Sequence, residues 1–158
     1  MVIQLHRWQV FLLRTICIVL LLLAAWGGSL SQMAIAAVPL AKQTPTEITI
    51  SLGTEAGDLK FVPNHLQFKA GKRYKLALSN PSSLKHYFTA KDFADAIWSQ
   101  KVDAGNVEVK GAIHELELRP GTKADWVFIP ARAGTYELRC TVPGHTEAGM
   151  MGTIDITG

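Results

Sequence analysis

At 158 residues and 48% hydrophobic, the chain has room for one ordinary domain. Its formal charge of +3 does not point to nucleic acid or an anionic membrane, because residues 1–36 carry two of the 16 basic residues and none of the 13 acidic ones. The remainder stands at 14 minus 13, or +1, without a basic cluster, so both partner classes are set aside.

Residues 1–36 differ in kind from the rest. His6, Arg7 and Arg14 make a basic start, an apolar run covers residues 15–26, and Ala34, Ile35 and Ala36 match the small-x-small pattern of a cleavage site. This reads as an export signal, cut after Ala36 or Ala37. Retention as an anchor is the alternative, although a membrane span needs about 20 apolar residues and this run stops at Gly27. Arg7 and Arg14 are not adjacent, and Cys17 has no small residues before it, so neither twin-arginine export nor lipidation is indicated. The expected location is outside the cytoplasm, in a periplasm or a thylakoid lumen. Cleavage would leave Cys140 as a lone thiol in a compartment that oxidises paired cysteines, which asks for a chemical reason.

Residues 37–45, with Pro39 and Pro45, read as a linker before a domain over residues 46–158. Ile48, Ile50 and Leu52 alternate with polar neighbours, and so do Tyr74, Leu76 and Leu78. Trp126 with Phe128 and Tyr136 with Leu138 continue the period of two that marks half-buried strands. Further strands are expected over residues 59–61, 65–68, 86–88, 114–118 and 152–156, punctuated by turns at Gly71, Pro81, Gly121 and Gly134. Residues 90–100 depart from this pattern: Phe93 and Ile97 lie four apart beside Ala94 and Trp98, which predicts a short helix or helical loop. Seven to eight short strands and no long helix predict an all-β, Greek-key sandwich of two antiparallel sheets with one short helical insertion.

The densest chemistry lies late in the chain. Cys140, His145 and Met150 offer a thiolate, an imidazole and a thioether within eleven residues, ligand types that suit copper. Strand phase puts Tyr136, Leu138 and Cys140 on one face and Glu137 and Arg139 on the other, so the sulfur should point inward. Pro143 and Gly144 can turn the chain to bring His145 back, and Gly149 can turn Met150 toward the same point. A blue-copper centre wants two imidazoles and one thiolate with a weak axial sulfur, so a second histidine must come from elsewhere. His6 leaves with the leader, His65 sits in a turn after Pro63 and Asn64, and His114 shares the phase of Leu116 and Leu118 but has no ligand chemistry beside it. His86, opening a strand after the turn at Asn80 and Pro81, is the best placed.

Phe61, Val62 and Pro63, the run over residues 70–80, His86, Pro120 and Gly121, residues 134–136 and residues 140–152 together resemble a cupredoxin of the plastocyanin, azurin and auracyanin group. The resemblance spans about residues 46–158, and its Cys-x4-His-x4-Met spacing belongs to mononuclear type 1 sites. By position it implies His86, Cys140 and His145 as equatorial ligands of one copper ion and Met150 as the axial one, with Met151 turned outward. It also implies that a polar residue such as Asn80 ties the two ligand loops together. Residues 89–113 are longer than in the smallest members, and Tyr87 is an unusual neighbour for the first histidine.

The function so implied is a monomeric one-electron carrier between redox partners such as cytochromes or an oxidase, which would dock on an apolar patch formed by Pro143, Gly144 and Met151 around His145. A copper-trafficking or copper-scavenging protein delivering copper to an oxidase is the alternative. An enzyme is not expected, since catalysis needs an open coordination position or a second copper centre, and no further His or Cys cluster is present.

Overall fold

The computed structural model describes residues 38–158; the expected export signal lies outside the described residues. The linker contributes one 3-10 turn, Leu40–Lys42, and β1 begins at Thr46. Two sheets follow. The first holds β1 (Thr46–Leu52), β2 (Phe61–Val62), β4 (Tyr74–Ser79), β6 (Ile97–Ala104), β7 (Val107–Val109) and β9 (Lys123–Pro130), in the order β2-β1-β4-β9-β6-β7. The second holds β3 (His65–Lys69), β5 (His86–Thr89), β8 (Glu115–Leu118), β10 (Gly134–Arg139) and β11 (Met151–Thr157), in the order β3-β11-β10-β5-β8.

Alternation decides which side chains meet between the sheets. Ile50, Leu52, Tyr74, Leu76, Leu78, Trp126 and Phe128 face inward from the first sheet, and Leu66, Phe68, Phe88, Leu138, Ile154 and Ile156 from the second. Each such side chain contributes about 1.5–3 kcal/mol by leaving water. The sandwich is therefore as the period of two requires.

Two features differ from the expected antiparallel pairing. β1 pairs with β4 in parallel, Ile50 opposite Leu78, and β3 pairs with β11 in parallel, Ile154 opposite Leu66. A parallel pair needs a long crossover; here it passes through the opposite sheet, since β3 intervenes between β1 and β4. The described strands number eleven, because short pieces such as β2 and β7 pair in register although their sequences carry too few residues for a period to show.

The helical expectation over residues 90–100 is corrected in extent. Helix α1 covers only Lys91–Ala94, and Ile97, Trp98, Ser99 and Gln100 belong to β6, where Ile97 pairs with Pro130 and Trp98 with Ile129. Pairing with β9 overrides the local spacing of Phe93 and Ile97. Phe93 is wholly buried and plugs the end of the sandwich, its ring 5.4 Å from Phe128, 5.7 Å from Phe68 and 6.0 Å from Trp126. The longer stretch between Thr89 and Ile113 is thus α1 plus the β6–β7 hairpin. Among the described residues, no helix is long and apolar enough to cross a membrane.

Candidate metal centre

One end of the sandwich gathers the chemically distinctive side chains. Cys140 follows β10 and Met150 precedes β11, so the loop between them closes a hairpin whose strands pair from Gly134 opposite Ile156 to Arg139 opposite Met151. The loop is tied internally: the Cys140 N–H donates to Met150 O (3.1 Å), His145 N–H to Val142 O (3.0 Å) and Met150 N–H to His145 O (2.9 Å). The Thr146 hydroxyl donates to Cys140 O at 2.7 Å. These bonds leave the loop little freedom to spread, and they hold the backbones of Cys140, His145 and Met150 together.

β5 is the neighbour of β10, with Thr89 opposite Arg139, and its first residue is His86. His86 Nδ1 lies 3.2 Å from His145 Nδ1 and 3.9 Å from Cys140 Sγ, and His145 Nδ1 lies 3.5 Å from that sulfur. His86 and Cys140 are wholly buried and His145 is 9% exposed. Imidazole and thiolate bonds to a first-row ion of about 2.0 Å and 2.3 Å, set in a plane, would put the donors about 3.5–3.7 Å apart. The observed triangle matches that size, and two imidazoles with one sulfur are the equatorial donors of a type 1 copper centre. Met150 is wholly buried beside them, whereas Met151 is 47% exposed, the disposition expected of the pair. The donor set fits copper.

The other two histidines among the described residues stand apart. His65 is exposed on β3, with Nδ1 2.7 Å from Thr153 Oγ1, as a turn histidine should be. His114, expected to be partly inward, is exposed instead and meets Asp95 at 2.7 Å: the strand begins only at Glu115, so the phase of Leu116 and Leu118 does not reach it.

Electrostatics favour a neutral ligand at His86. Burial pushes its imidazole below the ordinary value, and neighbouring His145 adds to the effect, so the lone pair stays free of a proton. The Tyr87 N–H donates to Cys140 Sγ at 3.3 Å and so ties the sulfur to β5. Glu115 on β8 accepts from the Thr89 hydroxyl (2.7 Å) and the Thr141 hydroxyl (2.8 Å), clasping β5 and the cysteine loop together. Those two hydrogen bonds hold its carboxyl below the usual carboxylate range.

Asn80 acts differently from the expectation. Its Nδ2 donates to Leu84 O and Leu118 O, both at 2.8 Å, and its Oδ1 faces Ser82, so it braces the turn before His86 against β8 and makes no bond to the cysteine loop. Tyr87 N–H and Glu115 make that connection instead. Ser82, whose Oγ lies 2.8 Å from His86 Nε2, and Gly53, which packs against the same ring edge, were not legible as site residues. Neither belongs to a periodic pattern, and both reach His86 only through the fold.

The model of copper binding proteins of the plastocyanin/azurin family matches residues 48–157, which takes in every residue of this centre. The chain belongs to that family. Among curated members of related type, the copper-resistant cuproprotein CopI of Pseudomonas aeruginosa is 24% identical over 136 residues, covering 67% of this chain and 75% of that protein. The multicopper oxidase mco of Staphylococcus aureus is 28% identical over 104 residues; the match covers 62% of this chain but spans only 23% of the oxidase. Among solved structures, the reduced auracyanin of Roseiflexus castenholzii superposes with a TM-score of 0.53 at 19% identity, over 73% of this chain and all of that one, which establishes the shared cupredoxin fold.

Proposed function

We propose that this cupredoxin is a one-electron carrier that works outside the cytoplasm with a single copper ion held by His86, Cys140 and His145, and by Met150 as axial ligand. The observation that carries the reading is the buried triangle of two imidazole nitrogens and one sulfur, all within 4.8 Å of one another, with Met150 buried against it. Copper in such a set supplies reversible one-electron chemistry between Cu(II) and Cu(I), tuned by the weak axial sulfur.

The chain's own contribution is to keep the donors in place. Tyr87 N–H restrains the sulfur, Ser82 restrains His86, and the bonds within the 140–150 loop restrain His145 and Met150. Apolar Leu138 and half-buried Val142 exclude water from the inner side. His145 reaches the surface between exposed Pro143, Gly144 and Met151, and a transient partner such as a cytochrome or an oxidase docks there. Among the described residues the one three-donor cluster is this centre, and the reading is of a carrier that acts as a monomer. Export through residues 1–36 would place it in a periplasm or a thylakoid lumen.

A second reading, copper trafficking or scavenging, is favoured by the likeness to a copper-resistant cuproprotein. Absorption spectroscopy separates the two. The carrier with Cu(II) has an intense visible charge-transfer band that is lost in Cys140→Ser, and it keeps its copper through repeated reduction and reoxidation in the presence of a Cu(I) chelator. A colourless copper complex of the unaltered protein refutes the type 1 site, and quantitative loss of copper on reduction refutes the carrier in favour of trafficking.

A further inference from the structure

We propose that Ser82 is the positioning residue that selects the tautomer of His86, leaving Nδ1 as the bare nitrogen directed at Cys140 and His145. The proposal deepens the copper reading and rests on it for its consequence, although the tautomer itself is a property of the metal-free protein.

The assignment follows from counting protons along one chain of polar atoms. Asn80 Nδ2 lies 2.8 Å from two carbonyl oxygens, those of Leu84 and Leu118, so the amide nitrogen must point there and Oδ1 must point at Ser82. Asn80 Oδ1 and Ser82 Oγ are 2.8 Å apart, and Ser82 Oγ is also 3.0 Å from Leu84 O. Two oxygens at such distances repel unless a proton lies between them, and the only proton either can share is the Ser82 hydroxyl's. That proton is therefore committed away from the histidine. Ser82 Oγ receives the Leu84 N–H at 3.2 Å and has one lone pair left, facing His86 Nε2 at 2.8 Å. The contact is satisfied only when His86 Nε2 carries the hydrogen and donates it. Nδ1 then has none, and it is Nδ1 that lies 3.2 Å from His145 and 3.9 Å from Cys140.

The relay is anchored at both ends. Leu118 O belongs to β8, which pairs with β5 through Leu118 opposite His86, so the strand next to the one that carries the histidine holds the far end of its support. Gly53 closes the same ring edge beside Ser82: a Cβ there would sit 2.8 Å from His86 Nε2. Rotation of the ring by half a turn about its Cβ bond would bring carbon to Ser82 and strand a buried N–H, whereas among the described residues every buried side-chain nitrogen and oxygen has a partner.

Nitrogen NMR of isotope-labelled histidine in the metal-free full chain, at slightly alkaline pH, reads the tautomer directly. The expected result is His86 protonated on Nε2, a mixture of tautomers in Ser82→Ala, and no change in Ser83→Ala, whose side chain is exposed next door. Competition with a Cu(I) chelator should show Ser82→Ala about tenfold weaker for copper, the lower range for lost partners of ligating histidines. An Nδ1-protonated His86 in the unaltered protein overturns the proposal without any variant having to fold, and so does an unchanged tautomer in Ser82→Ala. If instead the tautomer is as expected but the copper protein lacks its visible band, the type 1 reading fails and the positioning role of Ser82 stands.

Discussion

Gly53→Ala tests how far the backbone itself holds the metal centre. Gly53 follows β1 at φ +79° and donates its N–H to Lys60 O at 2.8 Å, so its left-handed conformation is fixed by the loop. A side chain there meets two costs. The conformation costs a non-glycine residue about 1–2 kcal/mol. The new Cβ would also lie 2.8 Å from His86 Nε2 and 3.1 Å from Ser82 Cβ, and the ring must retreat by roughly 0.7 Å to reach an ordinary contact of about 3.5 Å. His86 is wholly buried and bonded at both nitrogens, so overpacking adds about 2 kcal/mol.

Gly57→Ala supplies the control, because Gly57 has φ +86° in the same loop but open space where its Cβ would be. It carries the conformational cost alone. At about 4 °C per kcal/mol for a domain of this size, Gly57→Ala should lower Tm by about 6 °C and Gly53→Ala by about 14 °C. Thermal unfolding of the metal-free protein measures both. Copper should widen the gap, since stabilisation by a ligand falls with its affinity and only Gly53→Ala displaces a donor. Equal losses for the two variants, with or without copper, would refute the claim that Gly53 is glycine because of His86.

Phe93→Ala should destabilise the domain by about 3–5 kcal/mol, because the ring contacts Phe68, Trp126, Phe128 and Tyr136 and is the large buried side chain of the short helix α1; denaturant unfolding would show it as a lower midpoint at unchanged slope. Glu115, whose carboxyl is lowered by bonds from Thr89 and then Thr141, contributes stability that is complete above the unfolded carboxylate value and is lost as pH falls through its lower folded value. Stability curves of the metal-free protein and of Glu115→Gln should therefore converge in strong acid and separate on the neutral side, and parallel curves across that range would count against the clasp.

What the sequence made legible is what depends on local order. Alternation identified β1, β4, β9 and β10 because a period of two assigns side chains to faces wherever one face is buried, and the same phase turned Cys140 inward. The 140–150 loop could be read because its donors are neighbours in the chain. His86 needed elimination among histidines and a resemblance, since nothing in its own neighbourhood specifies a metal. The parallel pairs β1–β4 and β3–β11 were not legible, because register between distant strands leaves no local trace. β6 was misread at its start because Phe93 and Ile97 have helical spacing, and only the partner strand β9 decides otherwise. Ser82, Gly53 and Glu115 are ordinary turn and strand residues until the fold sets them beside His86, Thr89 and Thr141.

The supports of the centre are unequal, and the inequality bears on the proposed carrier. His86 is enclosed on every side: Gly53 and Ser82 at one ring edge, His145 and Cys140 at the other, with β8 behind. Its position is set by bonds that involve no metal. Cys140 is likewise held by Tyr87 N–H and by its own bond to Met150 O. His145 is held within its loop, by Val142 O and the Met150 N–H, and at 9% is the most exposed of the three equatorial donors. In the proposed carrier a partner would sit on the His145 side, against exposed Pro143 and Gly144, and would add its restraint to the donor nearest the surface. Docking and the cost of electron transfer would then depend on the same few residues.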